Sequence, residues 1–308
     1  MISDPLVVIS PVFEVIELVK TYPGSSTPAV DIPHLVVPQG EVFGLLGENG
    51  AGKSSFVKML VGLLSPDSGL VRYLGSPIQR GSVAPGSTIA YMPQSGFALN
   101  TLTVSEALML AGRFRGLSRT ERRAEHERVV NRLELGPWLH RVATRLSGGQ
   151  RRLLQLGVTM IGRLPVVVLD EPTNDLDPGR RRMVWDLVGE IRAEGTTVVL
   201  ITHNPIEAEQ VLDTVAIMKD GCVIARGTPK GLKARLAERV HVDLHLAPDA
   251  SFLLPAYATV ERRSGRLVSL SIEKSKLSIF LDEIEIDRFD HFKVQSPTLE
   301  DVYRDYIA

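Results

Sequence analysis

The sequence predicts an α/β protein built on a parallel sheet, with smaller parts attached to it. Short apolar runs at Val42 to Leu46, Val166 to Leu169, Thr197 to Ile201 and Val215 to Met218 have the length and β-branched content of buried strands. Helical patterns at Pro178 to Glu194 and Pro205 to Leu212 lie between the later ones, and strand–helix alternation builds a parallel sheet. A block with helical spacing, about residues 95 to 163, interrupts that alternation, so an α-helical subdomain is inserted into the core.

Residues 12 to 47 read as short strands, Phe13 to Glu17 and Leu35 to Val37 among them, split by the turn Tyr22 to Pro28. They suit an antiparallel β subdomain. Phe56 to Leu64 has the apolar spacing of a helix, and Ser65 to Gly69 is a turn. Leu70 to Leu74 and Ile89 to Met92 read as strands around the loop from Gln79 to Ser87. In the inserted block, Thr103 to Arg115 places Val104, Ala107, Leu108 and Ala111 on one helical face. Ser118 and Glu121 form a capping box that opens a charged helix to about Leu135. Its arginines alternate with glutamates, the pattern of a solvated face and not of a nucleic-acid surface. A third helix begins near Ser147. Thr228-Pro229 is an N-cap with proline at N1, opening a helix to about Glu238. Alternation in Leu267 to Ile272 and in Leu277 to Leu281 predicts half-buried strands. A closing helix follows, capped by Thr298 and Asp301 and expected to anchor through Tyr303, Tyr306 and Ile307.

The 308 residues suffice for one large domain and a small one, and the net charge of −1 gives no reason to expect nucleic acid as a partner. From Val240 onward there are 8 basic and 12 acidic residues, against 27 and 24 before it, a shift that divides the chain into 1–239 and 240–308. The single cysteine, Cys222, excludes an internal disulfide, fits a reducing compartment and reads as a small buried hydrophobe. Met1 to Pro5 lacks the basic start of a signal peptide, and no run approaches the ~20 apolar residues of a membrane span. A cytoplasmic protein is expected, held at a membrane, if at all, by another chain.

Gly47 to Ser54 fits G-x-x-x-x-G-K-[ST] between a strand-like and a helix-like run. Its glycines let backbone N–H groups converge on phosphate, and the helix N-terminus adds its positive dipole end. Lys53 can reach the β- and γ-phosphates, and the Ser54 hydroxyl can ligate Mg²⁺. Asp170 and Glu171 place adjacent carboxylates at the end of a buried strand, one suited to Mg²⁺ and the other to polarising the attacking water. Leu146-Ser147-Gly148-Gly149-Gln150 offers a second anion-binding helix N-terminus, a serine cap followed by two glycines.

Together these motifs resemble the nucleotide-binding subunit of an ABC transporter, over essentially residues 12 to 230. The resemblance makes Gly47 to Ser54, with Asn49, Gly50, Gly52 and the following Ser55, the Walker A phosphate cradle of a P-loop NTPase core. Asp170 and Glu171 match Walker B and the catalytic glutamate, and Leu146 to Gln150 the family signature. It further implies that Gln94 is the glutamine-loop residue at Mg²⁺, that Asp177 closes the D-loop, and that His203 senses the γ-phosphate. Tyr22 falls where the family stacks an aromatic ring on adenine. Asp175 departs from the family pattern, which has a small residue there. The family's ATP and Mg²⁺, its integral-membrane permease partner and its head-to-tail homodimer or heterodimer follow as expectations, with the chain peripheral on the cytoplasmic face of the membrane. Pro297 to Tyr303 is similar to the closing motif of drug- and lipid-type exporters, including the daunorubicin-resistance ATPases. The expected membrane contact is the loop and first helix of residues 95 to 117, where Phe97, Leu99, Leu102 and Phe114 cluster. An importer or lipoprotein-extraction ATPase, or a non-transport member acting on ribosomes or DNA, is the alternative; a GTPase is disfavoured because no Asn-Lys-x-Asp is present.

Overall fold

The computed structural model describes residues 11–79, 88–96, 101–236, 238–248, 253–285 and 288–307. The chain separates into two compact units, Met1–Arg226 and Gly227–Ala308. The break precedes the charge shift near residue 240, because the helix opened by Thr228 contacts the closing helix of the second unit.

In the first unit, β1 (Pro11–Lys20) and β2 (Val30–Pro38) alternate buried and exposed residues and pair antiparallel. β3 (Val42–Gly47) is buried at every residue, as a strand covered on both faces must be. It runs into α1 (Lys53–Leu60). β4 (Ser68–Tyr73) and β5 (Ser76–Pro77) complete a sheet ordered β2-β1-β4-β5. β6 (Ile89–Met92) belongs to the other sheet.

The inserted helices are α2 (Val104–Phe114), α3 (Arg119–Arg132) and α4 (Gly148–Met160). Each starts at a reciprocal capping box, Thr103 with Glu106, Ser118 with Glu121 and Ser147 with Gln150. Such a cap stabilises a helix start by about 1 kcal/mol. α3 buries Val129 and Val130 and is otherwise charged, as expected. Its charges are partly fixed, however. Glu125 bridges Arg128, Arg163 and the Gly162 N–H, and Arg132 pairs with Glu190.

The unit closes with β7 (Val166–Asp170), α5 (Pro178–Ala193), β8 (Thr197–Ile201), α6 (Pro205–Ala208), β9 (Thr214–Lys219) and β10 (Cys222–Gly227). α6 is one turn long, shorter than the pattern Pro205 to Leu212 suggested. The main sheet is ordered β10-β9-β3-β8-β7-β6, with β6 to β9 and β3 all parallel. The α/β expectation therefore holds, with one parallel and one antiparallel sheet sharing a core around Phe13, Phe43 and Phe56. Cys222 is half-buried, and burial, with Asp31 and Asp220 nearby, pushes its thiol pKa up, which disfavours the reactive thiolate.

The second unit holds α7 (Pro229–Lys233), capped by Thr228 as expected, then β11 (Arg239–Leu246), β12 (Ala258–Ser264), β13 (Leu267–Glu273), α8 (Leu277–Glu283), β14 (Phe289–Gln295) and α9 (Leu299–Ile307). Its antiparallel sheet is ordered β12-β13-β11-β14. Residues Leu277 to Leu281, expected as a strand, are helical. Leu277, Phe280 and Ile284 fall on one helical face toward the core, whereas Ile279 and Leu281 are exposed. The closing helix has the Thr298–Asp301 cap and buries Leu299 and Val302 fully. Of the expected anchors, Tyr303 and Tyr306 are half-buried, Tyr306 with Arg235 stacked 5.1 Å from its ring centre, and the Ile307 side chain lies outside the described residues. Among the described residues, no helix is long and apolar enough to cross a membrane.

Candidate active site

The parallel strands all point their carboxyl ends to one edge of the sheet, where ligands of open α/β folds bind. At that edge lie Gly47 at the end of β3, Pro93 and Gln94 after β6, Asp170 and Glu171 at the end of β7, and His203 after β8.

The loop from Gly47 to Gly52 is shaped by backbone contacts. Gly52 has φ +98°, and a Cβ there would lie 2.1 Å from the Ala29 carbonyl oxygen, so no other residue fits. α1 therefore begins without a side-chain cap and with no acidic residue in its first turn, which leaves its N–H groups for an anion. Asn49, Gly50 and Ser54 are exposed, Ser55 is half-buried, and Lys53 is buried. The Lys53 ammonium donates to the carbonyls of Gly47 (2.7 Å) and Glu48 (2.8 Å). Burial lowers its pKa, opposed by the charges of Glu171, Asp170 and Glu48. Tyr22 is exposed beside this helix, its hydroxyl 2.9 Å from Ser55 Oγ.

The two carboxylates behave differently. Burial pushes the Asp170 pKa up, and the Glu171 charge adds to it; Arg152, Lys53 and the Gln94 N–H oppose the shift. Tyr91, in the neighbouring strand, is pushed up to about 12 by burial and by Asp170. Glu171 is buried, and its Oε2 lies 2.7 Å from Nδ1 of the exposed His203. Its backbone has φ +53°, a conformation that costs an ordinary residue about 1–3 kcal/mol, and its N–H is held by the Ile201 carbonyl at 2.9 Å.

Arg152, on α4, was not singled out from the sequence. Its guanidinium donates to the carbonyls of Pro93, Gln94, Asp170 and Glu171 and to Gln155 Oε1, so one buried side chain joins the ends of β6 and β7. Its spacing from Gly149 and Leu156, on the buried stripe of α4, was the signal that could have revealed it.

Ser147 to Gln150 form a separate cluster. Ser147 and Gly148 are exposed, and the Ser147 side chain caps the Gln150 N–H at 3.3 Å. Gly149 is buried, and a Cβ there would lie 2.8 Å from the Asp175 carbonyl oxygen. Asp175 has φ +63°, and Asp177 caps α5 through the Arg180 N–H at 3.0 Å. Among the described residues, no hydrogen bond or ion pair joins Ser147–Gln150 to the loop of Gly47–Ser55.

An uncapped helix N-terminus beside a buried lysine fits a polyphosphate, and the all-oxygen set of Ser54, Gln94 and Asp170 fits Mg²⁺. Sheet order and phosphate loop define a P-loop ATPase. A family profile described as "ABC transporter" matches residues 30–174. The daunorubicin/doxorubicin resistance ATP-binding protein DrrA of Streptomyces peucetius is 36% identical over 267 residues, 86% of this chain and 79% of that protein. The probable multidrug ABC transporter ATP-binding protein YbhF of Escherichia coli is 37% identical over 222 residues, 72% of this chain but 38% of its own length. A solved ATP-binding subunit of an ABC transporter superposes with TM-score 0.67 at 28% identity, over 73% of this chain and 93% of its own. The chain belongs to the ABC transporter family and is an ATP-binding subunit of it, an ATPase.

Proposed function

We propose that this ATPase subunit drives export of a drug, lipid or other hydrophobic compound, as a head-to-tail dimer at the cytoplasmic face of the membrane beside an integral-membrane permease. The observation that carries the ATPase site is the convergence of Lys53, Asp170, Glu171 and His203 at one sheet edge. Export is favoured by the resistance and multidrug relatives and by the closing motif Pro297 to Tyr303.

In this reading Tyr22 stacks on adenine, and Gly47, Asn49, Gly50, Gly52, Lys53, Ser54 and Ser55 hold the phosphates. Lys53 exchanges its carbonyl partners for the β- and γ-phosphates. Ser54, Gln94 and Asp170 hold Mg²⁺, which when bound neutralises charge on the phosphates. Glu171 takes the proton of the attacking water, and His203, already in contact with it, orients toward the γ-phosphate. Ser147, Gly148, Gly149, Gln150 and Asp177 complete the site of the second subunit, since they stand apart from the phosphate loop of their own. The first unit, to Arg226, acts as the ATPase domain, with the loop and first helix of residues 95–117 toward the permease, and the second unit, from Gly227, acts as an accessory domain.

Glu171→Gln tests the site. ATP affinity should stay near wild type while turnover falls by roughly 10²- to 10⁴-fold, and an ATP-bound dimer should accumulate on gel filtration. Retained turnover would remove Glu171 from the chemistry.

A further inference from the structure

The second unit holds a side-chain cluster that ATP hydrolysis does not use. β11 lies inside its sheet, and Val240, Val242, Leu244 and Leu246 enter the core with Phe280. His241 therefore points to the opposite face. There it is nearly sealed, with its side chain 9% exposed. Two carboxylates meet its ring from different elements. Glu261 Oε2 lies 2.9 Å from Nδ1, and Asp301 Oδ2 lies 3.7 Å from Nε2. Glu261 sits at a bulge of β12: Val260 pairs with Leu270 and Arg262 with Ser269, so the extra residue is re-aimed toward His241. Asp301 comes from the first turn of α9, where its Oδ2 also accepts from Thr298. Ligating atoms of the three residues all lie within 4.8 Å of one another.

They border an open cavity of about 370 Å³, which Asp305, one turn beyond Asp301, also lines. Of the cavity's two arginines, Arg239 donates to Ser271 and Thr259, while Arg304 donates to Glu300 and its second guanidinium nitrogen lies 3.7 Å from Asp301 Oδ1, the oxygen that does not face His241. Three carboxylates thus face two guanidiniums, and with a neutral imidazole the cavity carries excess negative charge. A neutral imidazole also has a single N–H and cannot donate to both carboxylates. A bound cation resolves both problems.

We propose that His241, Glu261 and Asp301, with Asp305 beside them, form a divalent transition-metal site that fastens α9 to the sheet of the second unit. An imidazole with carboxylates suits Zn²⁺, Mn²⁺ or Co²⁺ and not Mg²⁺, whose preferred ligands are oxygens, so this site is chemically distinct from the one at the phosphate loop.

The test uses the full chain, stripped with chelator and titrated with Co²⁺ in the presence of millimolar Mg²⁺. One Co²⁺ per chain should bind, develop visible absorption, be displaced by Zn²⁺ and raise the thermal transition of the second unit. His241→Ala and Glu261→Gln should each weaken binding at least about tenfold and abolish the thermal shift. Should His241→Ala fail to fold, Glu261→Gln decides, because that side chain is 29% exposed. Failure to bind Co²⁺, or equal binding by Glu261→Gln, overturns the proposal. So does a transition that rises with acid and ignores metal, which would identify an imidazolium bridging the two carboxylates instead.

Discussion

Arg152 is held by carbonyls from two strand ends, so its removal strands several buried acceptors at once. Each orphaned group costs about 1–3 kcal/mol. Arg152→Met should therefore lower stability by about 3 kcal/mol or more in a denaturant titration and abolish ATPase activity. Arg152→Lys should recover part of the stability and little of the rate, because an ammonium cannot reproduce the guanidinium fork. Little of this was legible in the sequence, where Arg151-Arg152 resembles any charged helix. The phosphate loop, the paired carboxylates and His203 were legible because their chemistry fixes residue type and order. The Glu171–His203 contact was not, since it depends on β7 and β8 being neighbours.

At the scale of elements, Glu125 ties α3 to the end of α4. Burial alone would raise its pKa; the hydrogen bonds from Arg128, the Gly162 N–H and Arg163, with the Arg128 charge, more than offset that and lower it. A folded-state value below the unfolded one stabilises above the ordinary glutamate range and is lost as pH falls through the folded value. Acid titration should thus loosen the inserted helices early, followed by hydrogen exchange in α3, and Glu125→Gln should flatten that pH dependence. Apolar spacing made α2 readable and caps made α3 and α4 so, whereas Leu277 to Leu281 misled: over five residues alternation and helical spacing coincide, and Ile284 lay outside the window.

For the whole molecule, the dimer proposal predicts complementation. Lys53→Ala and Ser147→Arg subunits should each be inactive alone, yet mixed dimers should regain activity at one of two composite sites. No recovery in demonstrated mixed dimers would exclude head-to-tail assembly. The proposed permease contact rests on Phe114, 83% exposed at the end of α2; Phe97 and Leu99 lie outside the described residues. Phe114→Asp should spare ATP binding and weaken co-purification with the membrane partner. The sheet order also governs how the molecule comes off the ribosome. β3, which carries the phosphate loop, is flanked by β8 and β9, so its neighbours are among the last strands of the first unit to be synthesised. A nascent chain ending before Thr214 contains every motif from Gly47 to His203, yet leaves one edge of β3 open. Folding must wait for distant segments, which is slow, and an unpaired apolar strand invites aggregation meanwhile. Chains stalled before β9 are therefore clients for chaperones, not partially active enzymes.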